Sequence, residues 1–397
     1  MPKVLRIINR FNLGGPAYNA SYLTRYMAPE FETLLVGGKN DENEANSQYI
    51  PESLGLKPLI IPEMQRSISP SRDMKAYRKI KDLIRDFRPD IVHTHASKAG
   101  ALGRRAAASL NVPVIVHTFH GHVFDDYFNG LKSSIYKRIE RSLARKSSAI
   151  VALSEIQKHD LVSRHRICQE ELVHIIPLGF DLSRFRENNG LKRIAFREKY
   201  GIREDEMAIG IVGRIVPIKN HALFLHALHY LLRHSSRKIR AFIVGDGESR
   251  AATEALAREL GIDYSDATAE KRSTTLTFTS WLKDIDEVNA GMDIIALSSL
   301  NEGTPVSLIE AQASGKPIVT TRVGGIGNIV IPGETALLSD PHDAEEFGRH
   351  LLTLTEDETL RKSFAEKGWP FVESRFHYTR LVRDMRELYF RLLEDHQ

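Results

Sequence analysis

Two carboxylates, Glu302 and Glu310, flank a Gly-Thr-Pro turn in LNEGTPVSLIEAQASGKPIVTT (300–321), just after the strand-like run DIIALSS (293–299). A turn that leaves a strand and opens a helix can hold a phosphate. The first helical turn offers free backbone N–H groups and roughly half a unit of positive charge. Thr304 is the expected N-cap, Pro305 suits the first helical position, and Gly303 lets the backbone approach a ligand closely. Val306, Ile309 and Ala313 form an apolar stripe at helical spacing. Glu310 lies roughly 7–8 Å further down the axis, shares the Val306 face and borders that stripe. A carboxylate there needs partners, and the adjacent hydroxyls of a ribose would supply them. Glu302, on the other side of the turn, can accept hydrogen bonds from a sugar hydroxyl and stabilise positive charge on a sugar ring. Taken singly, each Glu reads more simply as a solvated loop acid or a helix-edge ion pair. The phosphate-ready turn between them favours the chemical reading.

The cations such a site needs are in GIVGRIVPIKNHALFLHALHYLL, which puts Arg214 near the end of a strand and Lys219 in the loop that follows, with Asn220 able to cap the next helix. Fixed cations and amides aimed at a departing diphosphate stabilise its charge without a metal.

The elements that position these groups follow from alternation. Strand-like runs at 4–8, 33–36, 58–61, 89–95, 112–120 and 148–154 are interleaved with amphipathic stretches, among them 16–27 and 71–87. A proline- and glycine-containing, then polar, segment over 175–192 has the composition of a linker. The pattern restarts at 207–215, 239–247, 275–282, 293–299 and 317–325. The expected class is α/β: two doubly wound, Rossmann-like domains, 1–180 and 186–375, facing across a cleft, with ligands outside the carboxyl ends of the strands.

The bulk numbers agree with such a chain. Its 397 residues exceed what one core usually serves, and 42% hydrophobic with 27% charged residues is ordinary for a globular protein. A net charge of +4 gives no reason to expect nucleic acid as a partner. The single cysteine, Cys168, excludes an intramolecular disulfide and a thiolate zinc cluster. No apolar run approaches the ~20 residues of a bilayer span, and the N-terminus reads as a first strand rather than a signal peptide. The expected location is cytoplasmic.

NLGGPAYNASYL, HTH and HTFHGH, IIPLGFDLSRF, GRIVPIKN and EGTPVSLIEAQASGKPIVTT, in this order and spacing, resemble the family 4 retaining glycosyltransferases of GT-B fold, of the bacterial surface-polysaccharide and glycoconjugate type. The last stretch has that family's E-x7-E spacing. The resemblance implies transfer of a hexosyl or N-acetylhexosaminyl group, with retention, from a nucleotide-sugar, a UDP-sugar above all, to a glycan or lipid-linked acceptor. It implies that Arg214 and Lys219, with Gly303, Thr304 and Val306, hold the donor diphosphate. Glu310 would hold the ribose, and Glu302 would stand beside the donor sugar. Gly14 and Gly15 would form a loop approaching the reacting groups. The donor-contacting histidine falls at His120, with His122 the alternative within HGH. No metal or other cofactor is implied, since the nucleotide-sugar is a substrate. Residues 1–180 would bind the acceptor and 186–375 the donor, and a helix over about 376–397 would pack back on the first domain. An epimerase or phosphorylase on the same architecture, or a non-catalytic nucleotide-sugar binder, are the alternatives.

Other patterns carry less. His93, His95, His117, His120 and His122 cluster at two strand ends, but no acidic or thiolate companion completes a zinc set. Asp125 and Asp126 could serve the acceptor or cap a turn. DID (284–286) formally matches the metal-binding D-x-D of another glycosyltransferase fold, but it opens an expected helix after a strand, where acids are favoured anyway; VGDGES (244–249) lacks the full dinucleotide fingerprint, and the glycine-rich VTTRVGGIGNIV, which could line the cleft, is out of register for it. In 131–147, Ile135, Tyr136, Ile139 and Leu143 project to one face and Lys137, Arg138, Arg141 and Arg145 to another. That pattern suits a core-packed helix with a solvated basic face, or one resting on the anionic inner face of the cytoplasmic membrane.

Overall fold

The structure is a computed structural model that describes residues 1–11, 15–39, 48–65, 67–120, 130–267 and 274–396, by backbone alone at 130–132. The chain forms two units, Met1–Phe180 with Phe376–Gln397, and Asp181–Arg375.

In the first unit, β1 (Lys3–Arg10), β2 (Glu32–Gly38), β3 (Leu59–Ile61), β4 (Ile91–His95), β5 (Val114–Thr118), β6 (Ala149–Ala152) and β7 (Val173–Ile175) make a parallel sheet in the order β3-β2-β1-β4-β5-β6-β7. The near-continuous β-branched and leucine run of β1 reflects burial on both faces. One face packs Val4, Ile91 and Val116 against Leu381, Met385 and Leu388 of the last helix, Tyr378–Glu394. The other packs Leu5, Ile7 and Val92 against the helices Pro70–Phe87 and Ser97–Ser109.

In the second unit, β8 (Glu206–Val212), β9 (Lys238–Val244), β10 (Tyr264–Asp266), β11 (Leu276–Ser280), β12 (Ile294–Leu297), β13 (Ile318–Thr321) and β14 (Ala336–Ser339) make another parallel sheet, in the order β10-β11-β9-β8-β12-β13-β14. Ile209 and Ile211 of β8 and Leu223 and Phe224 of the helix His221–His234 are buried in its core with Phe347. Strand order reverses between β1 and β4 in the first unit and between β8 and β12 in the second. These are the points where open parallel sheets leave room for a ligand.

Several local expectations change. Three strands absent from the sequence reading, β7, β10 and β14, are three- or four-residue edge strands. The 175–192 stretch is ordered rather than a free tether. Arg380 donates to the carbonyls of Pro177 and Leu178 at 2.7 and 2.8 Å, Ser183–Phe185 is a 3-10 turn with Phe185 buried, and a helix starts at Asn189. The helix Gly130–Ala144 is rotated from its expected projection. Glu140, Leu143 and Ala144 are buried, with Glu140 paired to the fully enclosed Arg104 at 2.6 Å. Ile135 is instead 53% exposed, and Arg141 donates to the carbonyls of His165 and Arg166. No helix among the described residues is long and apolar enough to cross a membrane.

Candidate active site

The loop after β8 runs Gly213-Arg214-Ile215-Val216 into a 3-10 turn, Pro217–Lys219. It is braced by the loop after β9. Ile215 N–H donates to the Asp246 carbonyl and Ser249 N–H to the Ile215 carbonyl, both at 2.9 Å. The glycines of VGDG make this possible. Gly245 has φ +140, and a Cβ there would lie 1.9 Å from the Gly213 oxygen; one at Gly247 would lie 2.3 Å from the Ile215 oxygen. Arg214 is exposed and has no side-chain partner among the described residues. Asn220 does not cap the next helix. It adopts a left-handed conformation (φ 48°, ψ 52°), and its amide donates to the Pro341 carbonyl.

The loop after β12 docks onto this turn. Leu300 N–H donates to the Ile218 carbonyl at 2.8 Å and Ser298 Oγ to the Lys219 carbonyl at 2.9 Å. Lys219 Nζ in turn donates to the Glu302 carboxylate, which also accepts from Ser299 Oγ at 2.6 Å. A third loop, after β13, holds the backbone. Gly325 N–H donates to the Glu302 carbonyl at 2.8 Å, and Gly324 (φ +49°) leaves only 2.1 Å between that oxygen and any Cβ added to it. Ser299 is not among the expected site residues, whereas Gly324-Gly325 belong to the glycine-rich stretch VTTRVGGIGNIV. The signal for the pair was two adjacent glycines just after a strand.

The helix Val306–Ala313 starts one residue later than expected, with Pro305 at the N-cap position (ψ 102°) and no side-chain cap, so Thr304 does not cap it. Its first N–H groups are therefore left to other acceptors. Gly303 is exposed with open space around it, and Thr304 and Val306 are partly exposed. Glu310 is only partly accessible, and its carboxylate has no hydrogen bond or ion pair among the described residues. Burial pushes its pKa up to about 7, Arg184 opposes the rise, and Asp286 adds to it. Asp286 is itself held by Lys192 at 2.9 Å and Arg184 at 3.7 Å.

In the first unit, His93 uses both ring nitrogens inside the core, Nδ1 with Tyr389 OH at 2.6 Å and Nε2 with Thr118 Oγ1 at 2.7 Å. His117 Nδ1 meets Thr94 Oγ1 at 2.8 Å, and His95 Nδ1 meets His120 Nε2 at 2.9 Å. Burial lowers all four pKa values, that of His120 to about 3, so the rings are neutral. Among the described residues no group of three or more His, Cys, Asp or Glu is arranged to hold a metal. Gly15 opens the helix Gly15–Tyr26, and a Cβ there would come within 2.8 Å of Leu178 Cδ1. Gly14, His122, Asp125 and Asp126 lie outside the described residues.

The second unit thus gathers Arg214, Lys219, Glu302 and an uncapped helix start at its switch point, with Glu310 on that helix. One end presents cations and free N–H groups suited to an anion; the other offers a carboxylate with no partner among the described residues.

Residues 13–184 match the family described as Glycosyltransferase Family 4, and residues 192–369 the family described as Glycosyl transferases group 1. The chain is 29% identical over 355 residues to the UDP-Gal:alpha-D-GlcNAc-diphosphoundecaprenol alpha-1,3-galactosyltransferase of Escherichia coli, covering 86% of this chain and 85% of that one. It is 25% identical over 337 residues to the capsular polysaccharide biosynthesis glycosyltransferase CapM of Staphylococcus aureus, covering 85% of each. A glycosyltransferase from Rickettsia africae superposes with a TM-score of 0.80 at 19% identity, covering 99% of this chain and 98% of that one. Anabaena HepE in complex with UDP superposes with a TM-score of 0.78 at 18% identity, covering 98% and 99%. At these identities the two structures speak to the fold, which is GT-B.

Proposed function

We propose that this chain, which belongs to the glycosyltransferases as a family 4 unit followed by a group 1 unit, moves a sugar from a UDP-sugar to a glycan or lipid-linked acceptor with retention at the anomeric carbon. The observation that carries the donor assignment is Glu310, a carboxylate without a partner among the described residues, on the helix whose uncapped start adjoins Lys219 and Glu302. The ribose hydroxyls donate to Glu310. The pyrophosphate lies on the amides of Gly303, Thr304 and Val306 and draws Arg214 and Lys219, so that Lys219 is shared with Glu302. Glu302 then faces the sugar ring. The acceptor binds the first unit near Gly14, Gly15 and His120.

The glycosidic C–O bond to the β-phosphate breaks as the acceptor oxygen bonds to the same face of the anomeric carbon. The acceptor proton passes to the departing phosphate oxygen. Cations and backbone amides carry the developing charge, and no metal is required. The Escherichia coli relative, by its name a transferase from UDP-Gal to a diphosphoundecaprenol-linked acceptor, supports the donor and acceptor classes. A lipid-linked acceptor would bring the chain to the inner face of the cytoplasmic membrane.

A thermal-shift screen of nucleotides tests the donor. UDP should raise the melting temperature in the presence of a metal chelator. Stabilisation by a nicotinamide dinucleotide instead would remove the proposal, and a strict requirement for a divalent ion would remove its metal-independent part. A panel of UDP-sugars with polyprenyl-diphosphate-linked acceptors, read by NMR at the new anomeric centre, tests retention. Conversion of donor without acceptor would identify an epimerase.

A further inference from the structure

Glu310 has a guanidinium in its surroundings and yet no ion pair among the described residues. That needs a cause, because a carboxylate withdrawn from water gains more from a cation than an exposed one does. The guanidinium is that of Arg184, on the 3-10 turn Ser183–Phe185, which packs against both the Glu310 helix and the helix Ile285–Gly291. Asp286, the second acid of DID, stands on the latter helix with one carboxylate oxygen 3.7 Å from Arg184. Its other oxygen is 2.9 Å from Lys192 Nζ, which also donates to the Arg184 carbonyl. Asp286 and Lys192 are largely enclosed, whereas the Arg184 side chain is 48% exposed and stands beyond hydrogen-bond distance of Asp286, so Arg184 is the member with room to turn. Burial raises the Glu310 pKa most, Arg184 lowers it and Asp286 raises it. The strands β12 and β13, also against that helix, carry no charged side chain.

We propose that Asp286, backed by Lys192, is a positioning residue that holds the Arg184 guanidinium off Glu310 and so leaves the Glu310 carboxylate to the ribose hydroxyls. This rests on the proposed role of Glu310 in donor binding. Without the Asp286 charge, Arg184 turns to Glu310 and competes with the ribose. Isothermal titration of the full-length protein with UDP across pH tests it. In the parent, affinity rises as Glu310 ionises and levels off by about pH 9. Asp286→Asn should move that rise to lower pH, because Glu310 loses a like charge and gains a cation, and should lower the plateau about tenfold. Removing the competitor as well, in R184A/D286N, should return the plateau to that of the parent. Arg184→Ala alone should keep the plateau and move the rise to higher pH, a readout that does not depend on D286N folding. A parent-like plateau in D286N, a double variant as weak as D286N, or a lowered plateau in R184A overturns the inference. Unchanged UDP affinity in Glu310→Gln would instead remove the ribose assignment, whatever Arg184 does.

Discussion

Glu310 has its carboxyl pKa raised to about 7 from 4.5, so the folded protein holds that proton where the unfolded chain releases it. Its contribution to stability is therefore complete below about pH 4.5 and is lost as pH rises through about 7. Glu310→Gln should raise the melting temperature above neutral pH and change it little in acid, as differential scanning calorimetry would show. Ligand binding should run the other way. Two ribose hydroxyls donate better to a carboxylate than to a protonated acid, so UDP affinity should rise between about pH 6 and about pH 8, and E310Q should lose that rise along with about ten- to a hundredfold in affinity. Isothermal titration across pH checks both. Lys219→Ala should weaken UDP binding by about tenfold or more and free Glu302 from its cation, whereas Glu302→Gln should chiefly lower kcat. Unchanged constants in both variants would remove the site assignment. Glu302, Glu310, Arg214 and Lys219 stand out as candidates from residue type and place in a strand–loop–helix pattern. The pairing of Lys219 with Glu302 does not, because nothing in either segment alone says which neighbour it will face.

The loops behave as one brace. Gly324 and Gly325 admit the carbonyls of Glu302 and Gly303, and Gly245 and Gly247 admit those of Gly213 and Ile215. Gly324→Ala meets both a left-handed φ and a 2.1 Å overlap with the Glu302 oxygen, so the Glu302 loop must shift. Donor affinity and turnover should fall together by about ten- to a hundredfold with secondary structure intact, as circular dichroism and initial rates would show. These glycines were visible in the sequence as poor dinucleotide fingerprints. Their use as close-approach points needed the strand order. The central strands were plain because burial on both faces leaves long β-branched runs, while β7, β10 and β14 are too short to show a period. Thr304 and Asn220 failed as helix caps for a related reason: composition marks a helix start, but the incoming chain direction decides which side chain can reach the free N–H groups.

The four side chains proposed to hold the donor all belong to Asp181–Arg375, while the last helix completes the core of the other unit with Leu381, Met385, Leu388 and Tyr389. Removing residues 376–397 should therefore strip amide protection from β1, β4 and β5 and leave it in β8, β12 and β13, as hydrogen exchange would show. UDP-induced protection around Lys219 and Glu310 should survive. Its loss would mean that donor binding depends on the first unit. The α/β class, the repeated parallel pattern and the glycosyltransferase relationship were all legible along the chain, since each is written within windows of a few tens of residues as hydrophobic period, turn chemistry and motif spacing. The clasp of Lys219 on Glu302, the isolation of Glu310 and the lock of Tyr389 on His93 were settled by folding. The partners are 83 and 296 residues apart for the clasp and the lock, and Glu310 has none among the described residues. Only the order in which strands pack sets such distances, and with them which charges are paired and which are left for a ligand.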